Sequence, residues 1–132
     1  MGGRGSFAAG ISVPYTYKTV GYIDGVKILE GLNGQHSLPA SAHSSAAYIK
    51  LDHNGNFKEM RFYDKDKCLY LEIAYHRESN LTGNNKEPVL HYHTYDKSFS
   101  MTREGKGGRT DAIPITDEMI QKYGRYFKGV NL

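Results

Sequence analysis

Hydrophobic and polar residues alternate most regularly from Ala46 onward. Ala47, Ile49 and Leu51 interleave with Tyr48 and Lys50, a period of two that sends successive side chains to opposite faces of a strand. Asn54-Gly55 follows, a pair suited to the positive φ angles of a type I′ turn, and then the run Phe57 to Tyr63. Setting 53 opposite 56 makes 51 face 58, 49 face 60 and 47 face 62. The next turn is Asp64 to Lys67, and pairing 63 with 68 places Phe62 opposite Leu69 and Met60 opposite Leu71. A slip of one residue would put Arg61 on the apolar face, which its desolvation cost opposes. A fourth strand is expected over Val89 to Tyr95, with 72 opposite 93 and 74 opposite 91. Upstream, two short β-prone runs, Val20 to Ile23 and Val26 to Leu29, flank Asp24-Gly25, the pattern of a tight hairpin.

The apolar face of such a meander needs a cover, and the C-terminal segment changes period to supply one. Thr116 is a good N-cap, Asp117 and Glu118 suit the positive end of a helix, and Met119, Ile120, Tyr123 and Phe127 recur at helical spacing. Lys122, Arg125 and Lys128 load the other end, and Gly129 is placed to stop it. The expected fold class is α+β: an antiparallel four- to five-stranded meander sheet with a C-terminal helix packed on one face. Residues 1–19, rich in Gly, Ser and Ala, read as a flexible N-terminal arm, and residues 20–132 as a single α+β domain. The polar stretch 31–45, GLNGQHSLPASAHSS, reads as a loop.

Composition narrows the class. The chain has 132 residues, enough for one modest core. Its apolar runs are far shorter than the roughly 20 residues of a membrane-spanning helix, and Met1 to Gly10 lacks the apolar stretch of a secretory signal. A single cysteine, Cys68, excludes an intramolecular disulfide framework and a cysteine-cluster zinc site. A soluble, intracellular protein is expected, without membrane contact and without a cofactor. The net charge of +3 is concentrated late in the chain, with seven Lys/Arg against four Asp/Glu over residues 97–132. Lys97, Arg103, Lys106 and Arg109 form a cluster able to meet phosphates, although such a loop is more often simply solvated. Gly105 to Arg109 lacks the spacing of a phosphate-binding P-loop.

The expected register also sorts the second face. One row reads Tyr48, Arg61, Tyr70 and Tyr95; the next reads Lys50, Glu59, Glu72 and His93, with His91 one step along and His76 at the strand end. With strands about 4.8 Å apart, Glu72, His91 and His93 come within reach of one small substrate. A carboxylate, an imidazole and Arg61 on one face can serve as base, acid and phosphate stabiliser, a combination suited to metal-independent RNA cleavage. Tyr48, Lys50, Tyr70, Tyr95, Arg103 and Arg109 are the accompanying candidates for substrate binding. Two other readings share these residues. The face is an ordinary solvated one with cross-strand pairs, or His91 and His93, with His76 or Glu72, hold a metal ion. His36, His43 and His53 fall in or beside loops and read as solvated, and Cys68 has no partner motif for a nucleophile.

Two resemblances add to this. MGGRGS at the start, HSLPASAHSSAAYIKL and the closing YGRYFKG resemble a family of small uncharacterised proteins of phages and prophages of Gram-positive bacteria. Arg61-Phe62-Tyr63-Asp64, Ile73, His76 and Pro88-Val89-Leu90-His91-Tyr92-His93 are similar to a pattern in C-terminal domains of bacterial polymorphic toxins. The second resemblance covers about residues 57–95 and implies a nuclease-like domain with a barnase-like sheet, acting on RNA. The chain departs from that pattern at Ala74-Tyr75 and at Thr94-Tyr95. Together they imply a phage- or prophage-encoded, toxin-like ribonuclease, located in the cytoplasm of a bacterial host or associated with a virion. The alternative is a non-enzymatic phage accessory or structural protein that binds a phage protein, a host protein or a nucleic acid.

Overall fold

Seven strands form one sheet in sequence order, in a computed structural model that describes residues 17–31, 38, 46–76, 87–96 and 109–130. The strands are β1 (Tyr17–Ile23), β2 (Val26–Gly31), β3 (Ala47–Leu51), β4 (Phe57–Tyr63), β5 (Leu69–His76), β6 (Val89–Thr94) and β7 (Ile113–Pro114). A helix, α1 (Asp117–Tyr123), runs into a 3₁₀ turn, Gly124–Tyr126. The fold is α+β, with seven strands where four or five were expected. The extra members are the β1–β2 hairpin and the short β7. All neighbours are antiparallel except β2 and β3, which run parallel through Lys27↔Tyr48 and Ile28↔Ile49. β1 begins at Tyr17, so Tyr17 to Thr19 pair with β2 instead of belonging to the arm. Residues 1–16 lie outside the described residues.

Turn chemistry explains which registers hold. Asp24 and Gly25 have φ of 47° and 83°, as a two-residue primed hairpin needs, and Ile23 faces Val26. The next two loops share a different design. Asp52 accepts the N–H groups of Asn54 and Asn56 on Oδ1, and Asp64 accepts those of Asp66 and Cys68 in the same way. Gly55 and Lys67 take the left-handed position at φ 81° and 67°. Each is therefore a three-residue loop closed by an aspartate. Each is also followed by a bulge, which adds a residue to the later strand.

In the β3–β4 hairpin the loop and the bulge cancel. Ile49↔Met60 and Ala47↔Phe62 stand as expected, and only Leu51 moves, to face Phe57 instead of Lys58. Between β4 and β5 the two add. Phe62 faces Leu71 and Met60 faces Ile73, two residues from the expected partners Leu69 and Leu71. A shift of two preserves the face of every side chain but changes its neighbours. Between β5 and β6, Glu72↔His93 and Ala74↔His91 match expectation.

One apolar row now crosses six strands: Ile28, Ile49, Met60, Ile73, Tyr92 and Ile113. The C-terminal segment covers it. Thr116 Oγ1 accepts from the Met119 N–H at 3.2 Å, as an N-cap should. The helix is shorter than its periodicity suggested and stops at Tyr123. Gly124 and the 3₁₀ turn swing Tyr126 and Phe127 into the core, where Phe127 meets Phe57 at 4.8 Å between ring centroids and Tyr123 meets Phe62 at 4.9 Å. Gly129, at φ 79°, lies against the Asn56 side chain, so a β-carbon is excluded there by backbone and space alike. No helix among the described residues is long and apolar enough to cross a membrane.

Candidate functional site

The two-residue shift assembles the site. On the face opposite the helix, cross-strand partners line up as Lys27, Tyr48, Arg61, Glu72 and His93 on β2 to β6. The expected register sets Arg61 and Glu72 in adjacent rows; they are direct partners instead, and Arg61 Nε donates to Glu72 Oε2 at 2.5 Å. Lys50, Glu59, Ala74 and His91 make the next row.

This face is not open to water. Exposure is 5% for Arg61, 4% for Glu72, 3% for His93 and 0% for His91. The expectation of a solvated face is therefore corrected. A residue that local sequence pattern assigns to a loop sits against this face. Leu38, 0% exposed, joins Tyr17, Leu29, Tyr48, Tyr63, Leu69 and Tyr95 in a second apolar cluster. Its N–H donates to Glu59 Oε1 at 2.9 Å, and its carbonyl accepts from Arg61 Nη1 at 2.8 Å. The one signal in the sequence is a lone large apolar residue within Gln35 to Ser45.

Charge on this face is set by burial and pairing. Burial alone pushes the Glu72 carboxyl up, but the charge and hydrogen bond of Arg61, helped by His93 and His76, outweigh it and hold Glu72 below its ordinary value. Burial also disfavours the Arg61 charge, yet Glu72 and Glu59 raise its pKa on balance. Burial lowers Lys50 despite the nearby Glu59, and it pushes the Tyr95 hydroxyl up to about 12.

The histidines form an edge-to-face stack, with His76 4.6 Å from His91 and His91 5.3 Å from His93 between ring centroids. His91 Nδ1 lies 2.8 Å from the Val89 carbonyl oxygen and His93 Nδ1 2.9 Å from that of Thr110. A carbonyl oxygen only accepts, so both Nδ1 atoms carry protons, and any proton exchanged with a ligand is exchanged at Nε2. Among the described residues no three His, Cys, Asp or Glu side chains are placed to share a metal ion, so His76, His91 and His93 form a stack instead of the alternative ligand set.

The substrate-binding candidates scatter. Tyr48 is fully buried, edge-on to Tyr63 at 5.4 Å. Tyr95 lies under the Arg61 guanidinium, 5.8 Å from its ring centroid, and Arg109, exposed, forms a bridge with it. Tyr70 leaves the expected row altogether. It is the extra residue of the β5 bulge, is 46% exposed, and lies 6.4 Å from Phe62, a residue of the helix-covered core. Arg103, with Lys97, Lys106, His36 and His43, falls outside the described residues. His53 is exposed in its loop and the Cys68 thiol is buried. Thr110, whose carbonyl orients His93, is a further site residue that no sequence pattern marks. Comparison of the chain with protein-family models, curated proteins and solved structures found no match.

Proposed function

We propose that the chain is a phage- or prophage-encoded, toxin-like ribonuclease that cleaves RNA without metal. The supporting observation is the side-by-side placement of Arg61, Glu72 and His93 on β4, β5 and β6. In this reading Glu72, kept ionised by Arg61, takes the proton of a ribose 2′-hydroxyl on Oε1, because Oε2 faces Arg61. The 2′-oxygen attacks the adjacent phosphorus and the bond to the 5′-oxygen breaks. His93, as imidazolium, gives its Nε2 proton to that leaving oxygen, since Nδ1 is committed to Thr110. Arg61 balances the charge that gathers on the phosphoryl oxygens. The products are a 2′,3′-cyclic phosphate and a free 5′-hydroxyl. His91 packs against His93 and is a positioning residue, and Arg109, exposed, pairs with Tyr95 just beyond β6.

The burial of the row favours a second reading, a non-enzymatic accessory protein in which the same residues only hold the sheet together. One experiment separates the two. Single-stranded RNA is incubated with the purified chain from pH 5 to 8, with and without a chelator. Cleavage to cyclic phosphate ends that survives chelation, and that His93→Ala reduces by roughly 10²–10⁴-fold, supports the ribonuclease. RNA left intact at every pH rejects it in favour of the accessory protein.

A further inference from the structure

Arg61 is the cation that must meet a phosphate, yet two of its nitrogens already donate within the chain itself. Arg61 Nη1 donates to the Leu38 carbonyl oxygen at 2.8 Å while Nε holds Glu72. The Leu38 N–H is held in turn by Glu59, which lies on β4 two residues before Arg61 and so on the same face. One residue thus has its carbonyl on the arginine and its N–H on the carboxylate beside it. The Leu38 side chain, wholly buried in the cluster that holds Tyr48, Tyr63 and Tyr95, anchors that backbone. A carbonyl oxygen and a phosphoryl oxygen are both acceptors for a guanidinium N–H, but only the phosphoryl oxygen carries a charge.

We infer that Leu38 is an autoinhibitory contact, its carbonyl occupying the Arg61 donor that a substrate phosphate takes in the active state. This rests on the ribonuclease reading and accounts for a row that is assembled and yet covered. The apolar anchor and the Glu59 hydrogen bond together set the fraction of molecules in which Arg61 is available. Apparent affinity for a phosphate ligand falls in proportion to that fraction. Removing either restraint raises it.

The test uses the full chain and two variants, Leu38→Ser and Glu59→Ala, neither of which alters Arg61, Glu72 or His93. Circular dichroism establishes that each is folded, and if Leu38→Ser is not, Glu59→Ala decides. Binding of uridine 3′-monophosphate is followed by the NMR signals of the histidine rings, and RNA cleavage is measured in parallel. Affinity higher than wild type by roughly tenfold in a folded variant, lost again when Arg61→Met is added, is the expected result. Equal affinity in wild type and folded variants overturns the autoinhibitory contact even where all of them cleave RNA. If affinity rises but no protein cleaves, the contact stands as a block on nucleotide binding and the ribonuclease reading fails alone.

Discussion

Two rows of cross-strand partners, one residue apart in register and on opposite faces of the same strands, behave as different materials. Ile28, Ile49, Met60, Ile73, Tyr92 and Ile113 need only to exclude water, and neighbouring apolar side chains can satisfy them in many packings. Lys27, Tyr48, Arg61, Glu72 and His93 need specific partners at specific distances. Both rows are largely buried, so the contrast is one of directionality more than of exposure. Truncating an apolar side chain costs the area it covered and the void it leaves; a charge deprived of its partner in a dry site keeps its full desolvation cost.

The sharpest break should come from Glu72→Ala. It strands the Arg61 guanidinium at 5% exposure and should lower unfolding free energy by about 3–5 kcal/mol in chemical denaturation. The double variant Arg61→Met/Glu72→Leu should recover most of that loss; if it is as unstable as the single variant, the pair is not what makes this row costly to disturb. On the apolar side, Ile73→Ala, at a position with no exposure, should cost about 2–5 kcal/mol, with no apolar partner able to restore the loss from across the sheet.

Acid should act on one row only. The folded Glu72 pKa lies below the ordinary value of 4.5, so its stabilisation is complete above pH 4.5 and is lost as pH falls through the lower folded value. In thermal unfolding, the stability of wild type should therefore fall relative to that of Arg61→Met/Glu72→Leu as pH drops below 4.5. The smallest effect belongs to Thr116→Ala, which removes the cap of α1 and should cost about 1 kcal/mol while leaving the histidine ring signals of the other face unmoved.

How much of this is legible in the sequence follows the same division. The apolar row is legible because alternation at Ala47, Ile49, Met60 and Phe62 survives any even shift of register. The helix start is legible in Thr116, whereas its end is not, because Tyr126 and Phe127 are buried by a 3₁₀ turn that breaks the period. The polar row is half legible. Glu72 opposite His93 follows from the pattern, but the Arg61–Glu72 pairing depends on a three-residue loop and a bulge at Tyr70 that composition does not reveal. Leu38 is illegible for a further reason: its burial comes from neighbours distant in sequence, which no local pattern encodes.

The parallel pair, β2 beside β3, has a consequence for the order of assembly. Strands β3, β4 and β5 are joined by three-residue loops and can zip locally, whereas β2 can reach β3 only by closing the longer connection 32–46. The β1–β2 hairpin should therefore dock late, and native-state hydrogen exchange should show its amides opening at lower free energy than those of β4 and β5. Tyr17 and Leu29 belong to that hairpin and pack in the same cluster as Leu38. Arg61 and Glu72 would then be paired on the nascent β4–β5 hairpin before the chain finishes closing over them.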